Sequence, residues 1–186
     1  MSHLLAKISD SFFNLGRGWV IVFLLTLVLV INLIIIPRGV AALKTPTKST
    51  KALDLFFFYT PEQAFQMLDS YGKNGREAYR TFALSIDVFY PLIYTLAFCL
   101  VISWLFKRQN ILNGKWLRLN LIPLGAGLFD LLENVSIVGL ITVYPTRPYL
   151  LSWLAAAFTM LKWSFVIFSS LLVLLGFGLF LKQQNR

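Results

Sequence analysis

Two carboxyl groups and an amide share one helical face in the middle of an apolar run, since Asp130, Glu133 and Asn134 stand at i, i+3 and i+4 within Leu119 to Tyr144. Ionisable groups at that depth are costly and need partners. The other ionisable groups deep inside long apolar runs are Asp87 in the preceding run and Lys162 in the following one. Carboxyl groups gathered in an apolar pocket can hold separated pKa values, which is the requirement for acid/base chemistry. The catalytic candidates are therefore Asp87, Asp130 and Glu133.

Asp87 is followed four residues later by Pro91, which has no N–H, so the Asp87 carbonyl loses its helical partner and exposes a backbone acceptor beside the side-chain one. Tyr90, Pro91 and Tyr94 lie on the same face as Asp87 by the i, i+3, i+4, i+7 rule. The ligand-binding set read from the sequence is Asp87, Tyr90, Tyr94, Asp130, Glu133, Asn134 and Lys162. Lys162 is expected to pair with Glu133 or Asp130, and at least one remaining acid to be protonated or hydrogen-bonded to a tyrosine. Asn32, the polar side chain in the second half of the first apolar run, is expected to serve helix packing.

His3 is the only histidine and Cys99 the only cysteine, so one chain can form neither a Cys/His metal site nor a Cys-His nucleophile pair. No metal and no cofactor is expected. Hydrolase, P-loop, Rossmann and zinc-protease motifs are absent, which leaves any catalysis to the carboxylates, the tyrosines and Lys162. No family is assigned from these residues.

The elements that must position this set follow from composition. Of the 186 residues, 58% are hydrophobic and only 13% charged, far from soluble usage, so the chain is expected to be an all-α integral membrane protein. It has room for four spans, at about 19–36, 81–106, 119–144 and 150–181, forming a single membrane domain over 1–186. The formal charge of +9 lies in short stretches flanking the apolar runs, which points to anionic lipid headgroups and away from nucleic acid. Ser9 or Asp10 is expected to cap a short interfacial helix ahead of the first span.

The connection 37–80 is the one long extramembrane segment. It is expected to begin irregularly, to include a short extended run over Leu53 to Tyr59, and to carry an amphipathic helix entered through a capping box at Thr60, Pro61 and Gln63 and ended by Gly72. A turn at Lys73 to Arg76 then leads into one helix that continues through the second span. Gly125, Ala126 and Gly127 predict close helix approach just before the acids.

Lys107, Arg108, Lys115 and Arg118 crowd a short loop with a turn at Asn113-Gly114, which is expected to be cytoplasmic, together with both termini, in a plasma (inner) membrane. Lys44, Lys48, Lys51, Lys73, Arg76 and Arg80 on the opposite side pull against this orientation. At 1.5 Å per residue, Asp87 lies about 9 Å and Lys162 about 18 Å from the outer ends of their spans, and Asp130 and Glu133 lie roughly 16 to 21 Å from the inner end of theirs. One buried network is therefore geometrically feasible.

Two functions fit. The first is a small-molecule or lipid site open toward the outer leaflet, with acid/base chemistry available to it. The second is a non-catalytic accessory or structural subunit of a membrane complex whose buried charges fix helix packing; the partners to expect are membrane lipids and a membrane-complex subunit or, in a homo-oligomer, a second copy of the chain, which is also what a transport reading would need. Proton-coupled transport is weakened by the small size of the chain.

Overall fold

A long run of leucine, valine and isoleucine satisfies its backbone only within a helix, and four such runs dominate the computed structural model, which describes residues 2–41, 51–109 and 114–184. The described residues are helical apart from short connections and contain no strand. Four helices are long and apolar enough to cross a membrane: Gly18–Ala41, Ile86–Arg108, Arg118–Thr142 and Tyr149–Gln184. The expected irregular residues 42–50 and the turn at Asn113 lie outside the described residues.

The N-terminal helix α1 (Ser2–Leu15) contains Ser9 in its middle, so neither Ser9 nor Asp10 is a cap. Ser9 is instead buried: its hydroxyl donates to Asn120 Oδ1 at 2.9 Å, and the Asn120 amide donates to Ser103 Oγ at 2.8 Å. The first span is α2 (Gly18–Val30), a π turn (Ile31–Ile35) and α3 (Ile36–Ala41). It runs on past Pro37, where an irregular excursion was expected. Pro37 cannot donate to Leu33, and the wider turn before it, in which Ile36 N–H bonds the Ile31 carbonyl, absorbs that loss.

In the connection, the expected extended run is a 3-10 turn at Leu53–Leu55, followed by extended backbone at Phe56. The helix α4 (Pro61–Ser70) starts as its sequence dictates: Thr60 N–H donates to Gln63 Oε1 at 2.9 Å and Gln63 N–H to Thr60 Oγ1 at 3.4 Å. Gly72 then takes φ +64°, and the chain turns there rather than at Lys73 to Arg76, which are already helical in α5 (Gly72–Leu84). α5 does not continue into the second span. It breaks at Ser85, whose hydroxyl donates to the Thr81 carbonyl at 2.7 Å and competes with the helical ladder. The span helix α6 (Ile86–Gln109) begins only after that break, five residues later than expected, and Asp87 falls in its first turn.

A 3-10 segment (Gly114–Leu121) leads to α7 (Ile122–Thr142), and α8 (Tyr149–Gln184) completes the bundle. The small residues before the acids are contact points. A Cβ on Gly127 would fall against Thr95 and within 3.4 Å of the Pro91 carbonyl on α6, and one on Gly125 would enter the Phe165 ring on α8.

The core is divided by ends. At one end Leu53, Tyr59, Phe65, Leu68, Tyr71 and Tyr79 from the connection pack on Ile137, Leu140 and Ala155 of α7 and α8, so the connection forms a cap. At the other, Phe13 of α1 joins Ile102, Leu105 and Phe106 of α6, with Leu172 and Phe180 of α8. The first span leans on α6 through Ile21, Leu24, Ala97 and Leu100, leaving much of its surface apolar and exposed.

Candidate functional site

Pro91 leaves the Asp87 carbonyl without its helical donor, and the side chain of Asn134 on α7 replaces it: Nδ2 donates to that carbonyl at 2.7 Å. This bond ties α6 to α7 at the level of the acids. α7 then turns Asp130 and Glu133 inward, and α8 presents Ser152, Thr159, Lys162 and Ser169 on its buried side.

Lys162 is the hub. Its ammonium lies 2.5 Å from Glu133 Oε2 and 3.7 Å from Asp130 Oδ1, and it donates to the Asp54 carbonyl at 3.2 Å. Glu133 has no exposed surface, and its other oxygen accepts from Thr159 Oγ1 at 2.5 Å. Asp130 accepts from the Tyr94 hydroxyl at 2.9 Å through its second oxygen. The expected pairing of Lys162 with Glu133 or Asp130 is therefore met by both, and the expected tyrosine on a remaining acid is Tyr94.

Asp87 differs from the other acids. Only its backbone carbonyl is met by Asn134; its carboxyl, on a residue that is 8% exposed, has no hydrogen bond or ion pair with any described residue. It faces a cavity of about 330 Å³ between the first span, the cap, α6 and α8. Asp87, Tyr90, Tyr94, Asp130 and Lys162 all line this cavity, whereas Glu133 and Asn134 stand behind its wall and hold the lining residues in place.

Asp54, Tyr79 and Asn32 also line the cavity and were not in the sequence-derived set. Asp54 sits in the cap, accepts from the Tyr79 hydroxyl at 2.6 Å, and offers its carbonyl to Lys162 and to Trp163 Nε1 at 3.1 Å. Its one sequence signal is an acid inside the aromatic run Leu53 to Tyr59, a run too short to be weighed as a span. Burial first, then the neighbouring Asp54 carboxylate, pushes the Tyr79 hydroxyl above its ordinary range, so it stays a donor. Asn32 does more than pack helices: Nδ2 lies 2.7 Å from the Tyr90 hydroxyl and 2.9 Å from the Val28 carbonyl, and its exposed side chain sits on the π turn at the edge of the cavity.

The cavity therefore has a polar floor and apolar walls. Val28, Ile36 and Val40 from the first span and Phe82 and Val166 opposite supply the apolar part. Among the described residues, no three His, Cys, Asp or Glu side chains converge as metal ligands. Comparison of the chain with protein-family models, curated proteins and solved structures finds no significant match.

Proposed function

We propose that this is an integral protein of a plasma (inner) membrane that binds a small molecule or lipid in the cavity between its first span and the capped bundle. One observation carries the reading: the nearly buried Asp87 carboxyl faces that cavity without a donor among the described residues. A buried polar group left unmet by the protein costs free energy, and a ligand that meets it recovers that cost. The other acids are committed, so any acid/base chemistry falls to Asp87, with Tyr90 and Tyr94 beside it.

Both termini and the Lys107 to Arg118 loop face the cytoplasm in this reading, following the basic residues of the short loop. The cap residues Ala52, Asp54 and Tyr79 line the cavity, so with the cap outward the cavity opens in the outer half of the bilayer. Membrane lipids surround the exposed apolar faces of the first span and of α8.

A second reading, an accessory or structural subunit with architectural charges, is favoured by the Glu133–Lys162 pair, whose acid has no exposed surface and whose charges meet each other without a ligand. Native mass spectrometry of the protein released from its own membrane in a mild detergent separates the two. The ligand reading expects a retained small molecule or lipid that is lost in Val28→Trp, a substitution that fills the wall without touching the charges. Stoichiometric protein partners with no small ligand in either form would establish the accessory reading instead.

A further inference from the structure

Among the described residues, the acids around the cavity outnumber the cations that could answer them. Asp54, Asp87 and Asp130 line it and Glu133 stands behind its wall, while among the described residues Lys162 is the one cation in the lining, and it spends its donors on Glu133, Asp130 and the Asp54 carbonyl. Thr159, Tyr94 and Tyr79 supply neutral donors to Glu133, Asp130 and Asp54. Asp87 receives no donor from any described residue, although it is as buried as Asp130. Among the described residues the site thus lacks a positive, donor-bearing group at one defined place, beside Asp87.

Three ligand chemistries fail there. An anionic headgroup would meet the carboxylates of Asp87 and Asp130. A metal ion lacks converging ligands, since no three acidic side chains come together among the described residues. A neutral alcohol brings one donor and leaves the charge imbalance as it was. A primary ammonium brings three donors and the missing charge. Its surroundings suit it further: Tyr90 and Tyr94 stand side by side with ring centroids 5.2 Å apart, and Phe98 also lines the cavity. The apolar walls of Val28, Ile36, Val40 and Phe82 then take a hydrocarbon body.

Resting on the binding function proposed above, we propose that the cavity selects a monocationic amphiphile, an alkylamine-type ligand whose ammonium sits on Asp87 beside Tyr90 and Tyr94 and whose apolar body lies along the first span. A cavity of about 330 Å³ is at the small end of the ordinary ligand range, which suits a single short chain better than a two-chain lipid.

The test uses the full chain in nanodiscs of neutral phosphatidylcholine and a matched pair of probes, decylamine and decanol, followed by native mass spectrometry for stoichiometry and by thermal shift for affinity. The expected result is one decylamine per chain and a clear stabilisation by it, with decanol at least about tenfold weaker, as loss of a charge-assisted bond would give. Asp87→Asn should lose the preference for decylamine and keep its fold, because Asn134 bonds the backbone carbonyl and not the carboxyl that is changed. Glu62→Gln, exposed on the cap, should bind as the parent does. If Asp87→Asn does not fold, Val28→Trp serves in its place and should abolish decylamine binding.

Equal binding of the two probes, or a preference that survives in Asp87→Asn, overturns the cationic assignment while leaving the cavity as a ligand site. Binding of neither probe overturns it as well, and the retained-ligand experiment above then decides the cavity separately.

Discussion

Glu133 has no exposed surface, so the loss of Lys162 leaves its carboxylate buried and uncompensated. In Lys162→Met the Glu133 carboxyl would keep only Thr159, and Asp130 only Tyr94. Breaking a buried pair from one side costs about 3 to 5 kcal/mol, while removing both charges together is far cheaper. Thermal denaturation in detergent should therefore show Lys162→Met strongly destabilised and Lys162→Met/Glu133→Gln recovering most of the loss; equal damage in both would mean that the unpaired Glu133 carboxylate is not the source of the loss. These residues were legible because a charge inside a long apolar run stands out at any position. Asp54 was not, because its importance comes from a tertiary contact with α8 that no local pattern records. Asp87 was legible as an acid, but its lack of a donor could be seen only once every neighbour had been placed.

At the scale of elements, α4 and the capping box could be read directly, since Thr60, Pro61 and Gln63 specify a helix start through bonds three residues apart. The break at Ser85 could not, because the helical pattern runs through it and the competing bond from Ser85 to Thr81 is one of several that a serine can make. That break separates cap from span, and the cap is held by its tyrosines. Tyr71 donates to the Lys51 carbonyl at 2.7 Å and Tyr79 to Asp54 at 2.6 Å, while Tyr59 lies 3.5 Å from Thr159. Burial is the main force pushing all three hydroxyls above their ordinary range, with nearby acids adding to it at Tyr71 and Tyr79. A proton held more tightly in the folded state stabilises the fold fully below the unfolded pKa of about 10, and that contribution is lost as pH rises beyond it. Alkaline titration followed at the tyrosinate absorbance should accordingly show part of the tyrosine signal delayed and then released cooperatively with loss of the cap. Smooth ionisation of every tyrosine near the ordinary value would contradict the buried cap.

For the molecule as a whole, the two ends carry different work. One end holds the cap, where Arg147 pairs with Asp69 at 3.0 Å and the Arg76 guanidinium lies 3.6 Å from the centre of the Tyr144 ring, so basic residues there are engaged in folding. The other end gathers α1, the exposed Lys107 and Arg108, and the last turns of α8, and four helices are long and apolar enough to cross a membrane, an even number that would return the chain to the side on which it began. The four span-length helices were legible because length and apolarity of the kind a bilayer demands can be read from the sequence itself. The extent of α8 was legible too: 36 residues reach about 54 Å at 1.5 Å per residue, well beyond the apolar layer, so the helix tilts or projects. The side to which each end faces depends on charges whose engagement only the fold reveals. With Cys99 changed to alanine, a cysteine placed at Glu62 on the cap should react with an impermeant maleimide in intact cells. One at Gln183 near the end of α8 should react only after the membrane is opened. The reverse pattern would invert the bundle and put the mouth of the Asp87 cavity in the cytoplasmic half, so that its ligand would have to arrive from inside the cell.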